Sequence, residues 1–155
     1  MANKVLWSAL GTYTTAIAGG ASAPTLKALS AAAQKIGDAI DLTGAGARDI
    51  LSEWDLMVRF ASAPASGAYV SLYFILSVDG TNYQDGDDSI APPQSAFVRN
   101  FPCRLVDTQQ RISLSGIRLP PTKFKPLVIN NGSTAFTNTN DENVLSYRAY
   151  DPEIQ

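Results

Sequence analysis

Side chains able to do chemistry are few in this chain and fall in three places. Asp79, Asp85, Asp87 and Asp88 lie within ten residues, together with Gly80, Asn82 and Gly86. Calcium takes about six to eight oxygen ligands, which clustered Asp and Asn side chains between glycine turns can supply. The order departs from an EF-hand loop, which needs ligands at alternate positions and a distal Glu. A solvated hairpin loop without metal is therefore the expectation. Paired carboxylates can also do glycosidase chemistry, but that needs two groups facing each other across a cleft, and residues of one loop seldom do. Cys103, between Pro102 and Arg104, is the second place. Arg104 favours a thiolate, yet the chain has no histidine to act as its base, so a semi-buried core thiol is expected. The third is a basic stretch, with Arg99, Arg104, Arg111, Arg118, Lys123 and Lys125 against the single acid Asp107. Such charges can meet phosphate or an acidic protein surface. Their wide spacing favours scatter over the surface, and contact with a partner protein is the better use of them.

Composition narrows the chemistry further. The 155 residues include no histidine and one cysteine, with 45% hydrophobic and 17% charged residues and a formal net charge of -2. Without imidazole there is no Ser-His-Asp or Cys-His nucleophile and no histidine metal site. One cysteine makes neither an internal disulfide nor a multi-cysteine zinc site. No catalytic residue, metal ligand or cofactor is expected. The near balance of charge argues against direct nucleic-acid or membrane-surface binding. Gly44-Ala45-Gly46 lacks the third glycine of a dinucleotide fingerprint. Asn131-Gly132-Ser133 matches a glycosylation sequon but reads as a turn. Lys4, Val5-Leu6-Trp7 and Ala21-Ser22-Ala23 have the outline of a secretory signal, but Gly11 to Thr15 breaks the apolar run and Pro24 follows the cut. Synthesis and retention in a cytoplasm are expected.

These residues need elements to carry them. Residues 1–24 are small, Thr/Ala/Gly-rich and nearly uncharged, and form either an arm or leading strands. In the next segment Leu26, Leu29, Ala33, Ile36 and Ile40 repeat at spacings of three and four. That predicts a short helix or coil over 25–33, followed by a strand over 35–43. From residue 51 the period is two. Trp54, Leu56, Val58 and Phe60 alternate with mixed residues. Residues 68–78 are apolar on both faces, with Val70, Leu72, Phe74, Leu76 and Val78 on one and Tyr69, Tyr73 and Ile75 on the other, as in a central strand. A strand over Phe97 to Val106 carries Pro102, which belongs at an edge or bulge. Ile112, Leu114, Ile117 and Leu119 shift phase at Ser115-Gly116, as a bulge does. Phe124 to Ile129 ends at the turn Asn130-Asn131-Gly132, and Val144 to Tyr150 precedes an exposed tail. About seven or eight strands with turn chemistry between them predict an all-β chain. The expected architecture is a β-sandwich or jelly-roll-like single domain over 25–155 with an extended N-terminal arm over 1–24.

The string Ser77 to Gly86, then Ala91-Pro92-Pro93, Gln110 to Leu114, Leu119 to Lys125, Val128 to Asn131 and Leu145 to Tyr150, resembles small structural proteins of tailed-bacteriophage and prophage particles. The resemblance covers residues 50–150, about two-thirds of the chain. It implies a virion component made in the host cytoplasm, and head decoration (cement) proteins are the best match in size and composition. The implied partners are the major capsid protein and neighbouring copies of the chain, with a trimer favoured. Trp7 and Tyr13 on the N-terminal arm, and Arg111, Arg118 and Lys123 in the basic stretch, are the expected contact residues. A tail or head–tail component is the alternative, followed by a carbohydrate- or receptor-binding β module built on aromatics among Trp7, Tyr13, Tyr69, Tyr73, Tyr83, Tyr147 and Tyr150.

Overall fold

Where apolar and polar residues alternate, the chain forms strands. A computed structural model describes residues 5–7, 11–20, 24–42 and 50–154, with backbone alone for 5–7 and 152–154. The strands are β1 (Val5–Trp7), β2 (Thr14–Ile17), β3 (Gln34–Ile36), β4 (Leu51–Val58), β5 (Tyr69–Leu76), β6 (Phe97–Pro102), β7 (Gln110–Arg118), β8 (Phe124–Asn130), β9 (Val144–Tyr150) and β10 (Pro152–Ile154). β1 pairs with β10, β2 with β9, β3 with β8, β4 with β7 and β5 with β6, all antiparallel. The chain is thus a nested antiparallel ribbon, folded at the β5–β6 connection. Further pairing of β4 with β9 and of β5 with β8 wraps this ribbon into two four-stranded sheets. Their orders are β2-β9-β4-β7 and β3-β8-β5-β6, which is a jelly-roll sandwich.

The inward side chains of both sheets meet in one core. Trp54 on β4 stacks on Tyr147 of β9 at 5.1 Å between ring centroids and reaches Phe74 of β5, in the facing sheet, at 5.2 Å. Phe74 in turn packs on Phe124 of β8 at 4.5 Å. Leu56, Val58, Val70, Leu72, Phe101, Val128 and Leu145 are fully buried around them. Burying each side chain of this kind contributes about 1.5–3 kcal/mol. The indole N–H of Trp54 donates to Ser52 Oγ, which donates to the carbonyl of Ile117, so no polar atom of the pair is stranded.

Several expectations hold in detail. β5 is flanked on both sides, by β8 and β6. Pro102 lies at the end of the edge strand β6, where a missing N–H costs no ladder bond. Ser52 pairs with Ile117 and Trp54 with Leu114, which places the extra residue of a bulge in β7, and Gly116 there has φ +68.

Of the short helix or coil expected over 25–33, the coil forms. Ala28 and Ala32 have left-handed φ, and the N–H groups of Ala28 and Ala32 donate to the carbonyls of Thr137 and Asn130. The periodic apolar residues are still core, since Leu26, Leu29 and Ile40 are buried, but a coil pinned to distant strands delivers them. The strand expected over 35–43 is only β3 plus an isolated bridge between Ile40 and Phe124. The strand expected to reach Val106 stops at Pro102. Val78, assigned to an apolar face, is 76% exposed because the chain already turns at Ser77 to Gly80. The segment after Tyr150 is not a free tail, because β10 pairs with β1. Of the arm or leading strands expected over 1–24, β2 is a leading strand at the edge of the sandwich, and its Ala16 and Ile17 belong to the core.

Candidate interaction surfaces

The outer face of the β2-β9-β4-β7 sheet carries interlocked charges. Glu53 and Asp55 project from β4 between the inward Trp54 and Leu56. Glu53 pairs with Arg148 on β9, whose guanidinium also lies 4.7 Å from the ring centroid of Tyr13. Burial, and then the Glu53 carboxylate that it hydrogen-bonds, push the Tyr13 phenol above its usual range. Asp55, nearly buried, accepts from Ser113 Oγ at 2.8 Å and pairs with Arg111 Nε at 2.9 Å. These bonds join β2, β9, β4 and β7 across their outer surface, which makes the face a brace.

The acidic loop is a solvated connection of the β5–β6 hairpin, as expected, with Asp79, Asp85, Asp87 and Asp88 all exposed, and it is also internally engaged. Asp79 Oδ1 accepts the N–H groups of Thr81 and Asn82, and Asp87 Oδ1 those of Ser89 and Ile90. Bonds from Asn82, then Thr81, hold the Asp79 carboxyl below its ordinary range, and those from Ile90 and Ser89 do the same for Asp87. Asp88 accepts the N–H of Ile36 on β3 and pairs with Lys35. Gln34 Nε2 donates to the carbonyls of Asp87 and Ile90. The loop therefore covers the free edge of β3, a strand that would otherwise offer unpaired backbone. It also buries a second apolar cluster of Ile75, Ala96 and Leu127, against which Ile36, Tyr73 and Tyr83 pack. Among the described residues no group of three or more carboxylates or thiols is arranged to hold a metal.

Cys103 packs half-buried against the core, and burial pushes its thiol up to about 11. Arg104 does not offset that. The thiol is a packing group at neutral pH.

An open apolar groove of about 310 Å³ lies between the two sheets, on the side where β6 lies beside β7. Phe74, Phe97, Val98, Leu119 and Pro121 line it, with the exposed Arg118 among them. No carboxylate among the described residues pairs with Arg118. Pro120-Pro121, just beyond the end of β7, forms part of the lining.

The expected contact residues are therefore not one patch. Arg111 and Arg118 sit seven residues apart on β7, about 23 Å at strand rise. Lys123 pairs with Asp41 at 3.1 Å and Arg111 with Asp55, which leaves Arg118 as the uncommitted charge of the three. Tyr13, 40% exposed, belongs to the brace. Trp7 pairs through its backbone with Pro152, and the anchoring role expected of its side chain lies outside the described residues. Glu53, Asp55 and Arg148 are not among the expected contact residues, although the acids alternate with Trp54 and Leu56 on β4. Compared with known proteins, the chain matches no family model and no curated protein.

Proposed function

We propose that this chain is a structural protein of a tailed-bacteriophage particle whose role is capsid decoration. It would sit outside the expanded head, bridge coat subunits and oppose the outward pressure of packaged DNA, with the major capsid protein and its own neighbouring copies as partners. The observation that carries the reading is the open groove at the β6–β7 side. It is apolar, marked by one uncommitted arginine, and placed where two sheet edges end. Grooves of that make-up suit protein surfaces. The sequence resemblance over residues 50–150 supplies the particle, and the jelly roll is a fold used in viral capsid and lectin domains alike. Weak contacts repeated over a symmetric lattice add up to firm attachment without any single tight site.

The test is location. Labelled chain is added to expanded heads that lack it, and the particles are imaged by electron microscopy. Density over the whole head is the expected result. Density confined to the tail would move the chain to the tail or head–tail alternative. Binding to host glycans with no binding to particles would replace decoration by a receptor-binding module.

A further inference from the structure

The two sides of the sandwich differ in charge: arginines exceed acids beside β6 and β7, while aspartates and lysines are mixed beside β2 and β3. β2 and β3 lie on one side, where a Cβ on Gly37 would stand 2.6 Å from the carbonyl oxygen of Ala16. β6 and β7 lie on the other, joined by Gln110, whose side chain bonds both the N–H and the carbonyl of Arg104. On the β6–β7 side stand Arg99, Arg104, Arg111 and Arg118, with Asp107 between them. On the β2–β3 side stand Asp38, Asp41, Asp87 and Asp88, the last two held there by Gln34, Lys35 and the Ile36 N–H. Lys35 and Lys123 are already paired, with Asp88 and Asp41. Asp38 and Asp87 are exposed, Asp87 directly beside Ile90, whose N–H it accepts, and no ion pair engages either among the described residues.

Shape follows the same polarity. The apolar groove with Arg118 lies on the arginine side. On the aspartate side the loop presents Ile90, 53% exposed, at a fixed position, because its carbonyl accepts from Gln34 Nε2 at 2.7 Å. An apolar knob flanked by carboxylates on one side thus matches an apolar groove with an unpaired guanidinium on the other. A twofold contact of groove with groove would set Arg118 against Arg118, which disfavours it.

We propose that copies of this chain associate head to tail, with the Ile90 loop of one copy seated in the Arg118 groove of the next. Such a contact is heterologous and closes into a ring when the rotation between copies allows it. The inference rests on the reading of the chain as a protein that works in repeated copies, and names the surface by which they meet.

The test uses the purified full chain in sedimentation equilibrium, at about 0.1 M and about 1 M salt. Association that weakens with salt is expected. Arg118→Glu, and separately Asp38→Lys, should each weaken it about tenfold or more. Ile90→Ser should do the same without changing charge. Mixing the arginine-reversed and aspartate-reversed variants should restore assembly, since each then offers the sign the other lacks. Unchanged melting temperatures show that the variants fold. A chain that stays monomeric, an assembly indifferent to Ile90→Ser and Arg118→Glu, or a mixture no better than its components overturns the inference. Head binding by a monomeric chain would sink this contact and leave decoration standing. Assembly without any particle binding would do the reverse.

Discussion

Replacing Asn130 by aspartate changes one group's chemistry and almost none of its volume. Asn130 ends β8 and is fully buried. Its Nδ2 donates among the carbonyls of Thr134 at 3.0 Å and of Leu29 and Ser30 at 3.2 Å, while Oδ1 accepts from the Gly132 N–H at 2.9 Å. One side chain therefore ties the 24–33 coil, the end of β8 and the following turn together. Asn130→Asp keeps the acceptor but turns an oxygen toward three carbonyls. Two buried donors are lost, each worth about 1–3 kcal/mol once its partner is left unsatisfied. The total, about 2–6 kcal/mol, is a large share of the about 5–15 kcal/mol that holds a typical domain. For a chain of this length a loss of about 4 kcal/mol lowers the melting temperature by about 8–16 °C. The sign of the pH dependence is also set. Burial among acceptors raises the folded-state pKa of the introduced carboxyl above its unfolded value, because the protonated form can donate. The folded variant then binds more protons than the unfolded chain, so its deficit is smallest at low pH and grows as pH rises through the raised pKa. Thermal melts followed by circular dichroism at acid and neutral pH, with the parent chain as reference, measure both quantities. A variant melting within about 2 °C of the parent at neutral pH, or one whose deficit shrinks as pH rises, would refute the reasoning.

Gly86 has φ +132, and a Cβ there would lie 2.6 Å from Ile75 Cδ1, so Gly86→Ala is expected to cost about 1–3 kcal/mol. Hydrogen exchange should then speed up over 77–96, and a loop whose protection is unchanged argues against its packing on Ile75. With its thiol pushed up to about 11, Cys103 should react with iodoacetamide at pH 8 about a hundredfold more slowly than an unhindered cysteine. Its rate should climb toward pH 11, and alkylation at the rate of the unfolded chain would contradict this. Asp79 and Asp87 have folded pKa values below the ordinary carboxylate range. Their contribution is therefore present above the unfolded value of about 3.9 and is lost as pH falls through the depressed folded values. Asp79→Ala with Asp87→Ala should flatten the acid limb of a stability-against-pH curve, while an unchanged limb means their turn bonds do not persist in solution.

Much of the fold was legible as alternation. Trp54 to Phe60, the doubly apolar run from Val70 to Ile75, the phase shift at Ser115-Gly116 and the edge position of Pro102 are all readable because burial on a strand has a period of two and a bulge breaks it locally. The exclusion of histidine chemistry needed only a count. Tertiary structure alone decided what lies between and around the strands. Leu26, Leu29 and Ile40 show a helix-like spacing, yet the backbone of that coil is satisfied by Asn130 and Thr137, about a hundred residues away. Asp88 reads as one more loop acid until the fold sets it against Lys35 and the Ile36 N–H, 52 residues upstream. The groove beside Arg118 exists because the ribbon wraps so that β6 meets β7, while β2 meets β3 on the other side. Periodicity reports how each residue is buried, a local property of the backbone. Which partner buries it depends on contacts between distant segments, and those leave no periodic mark in the sequence.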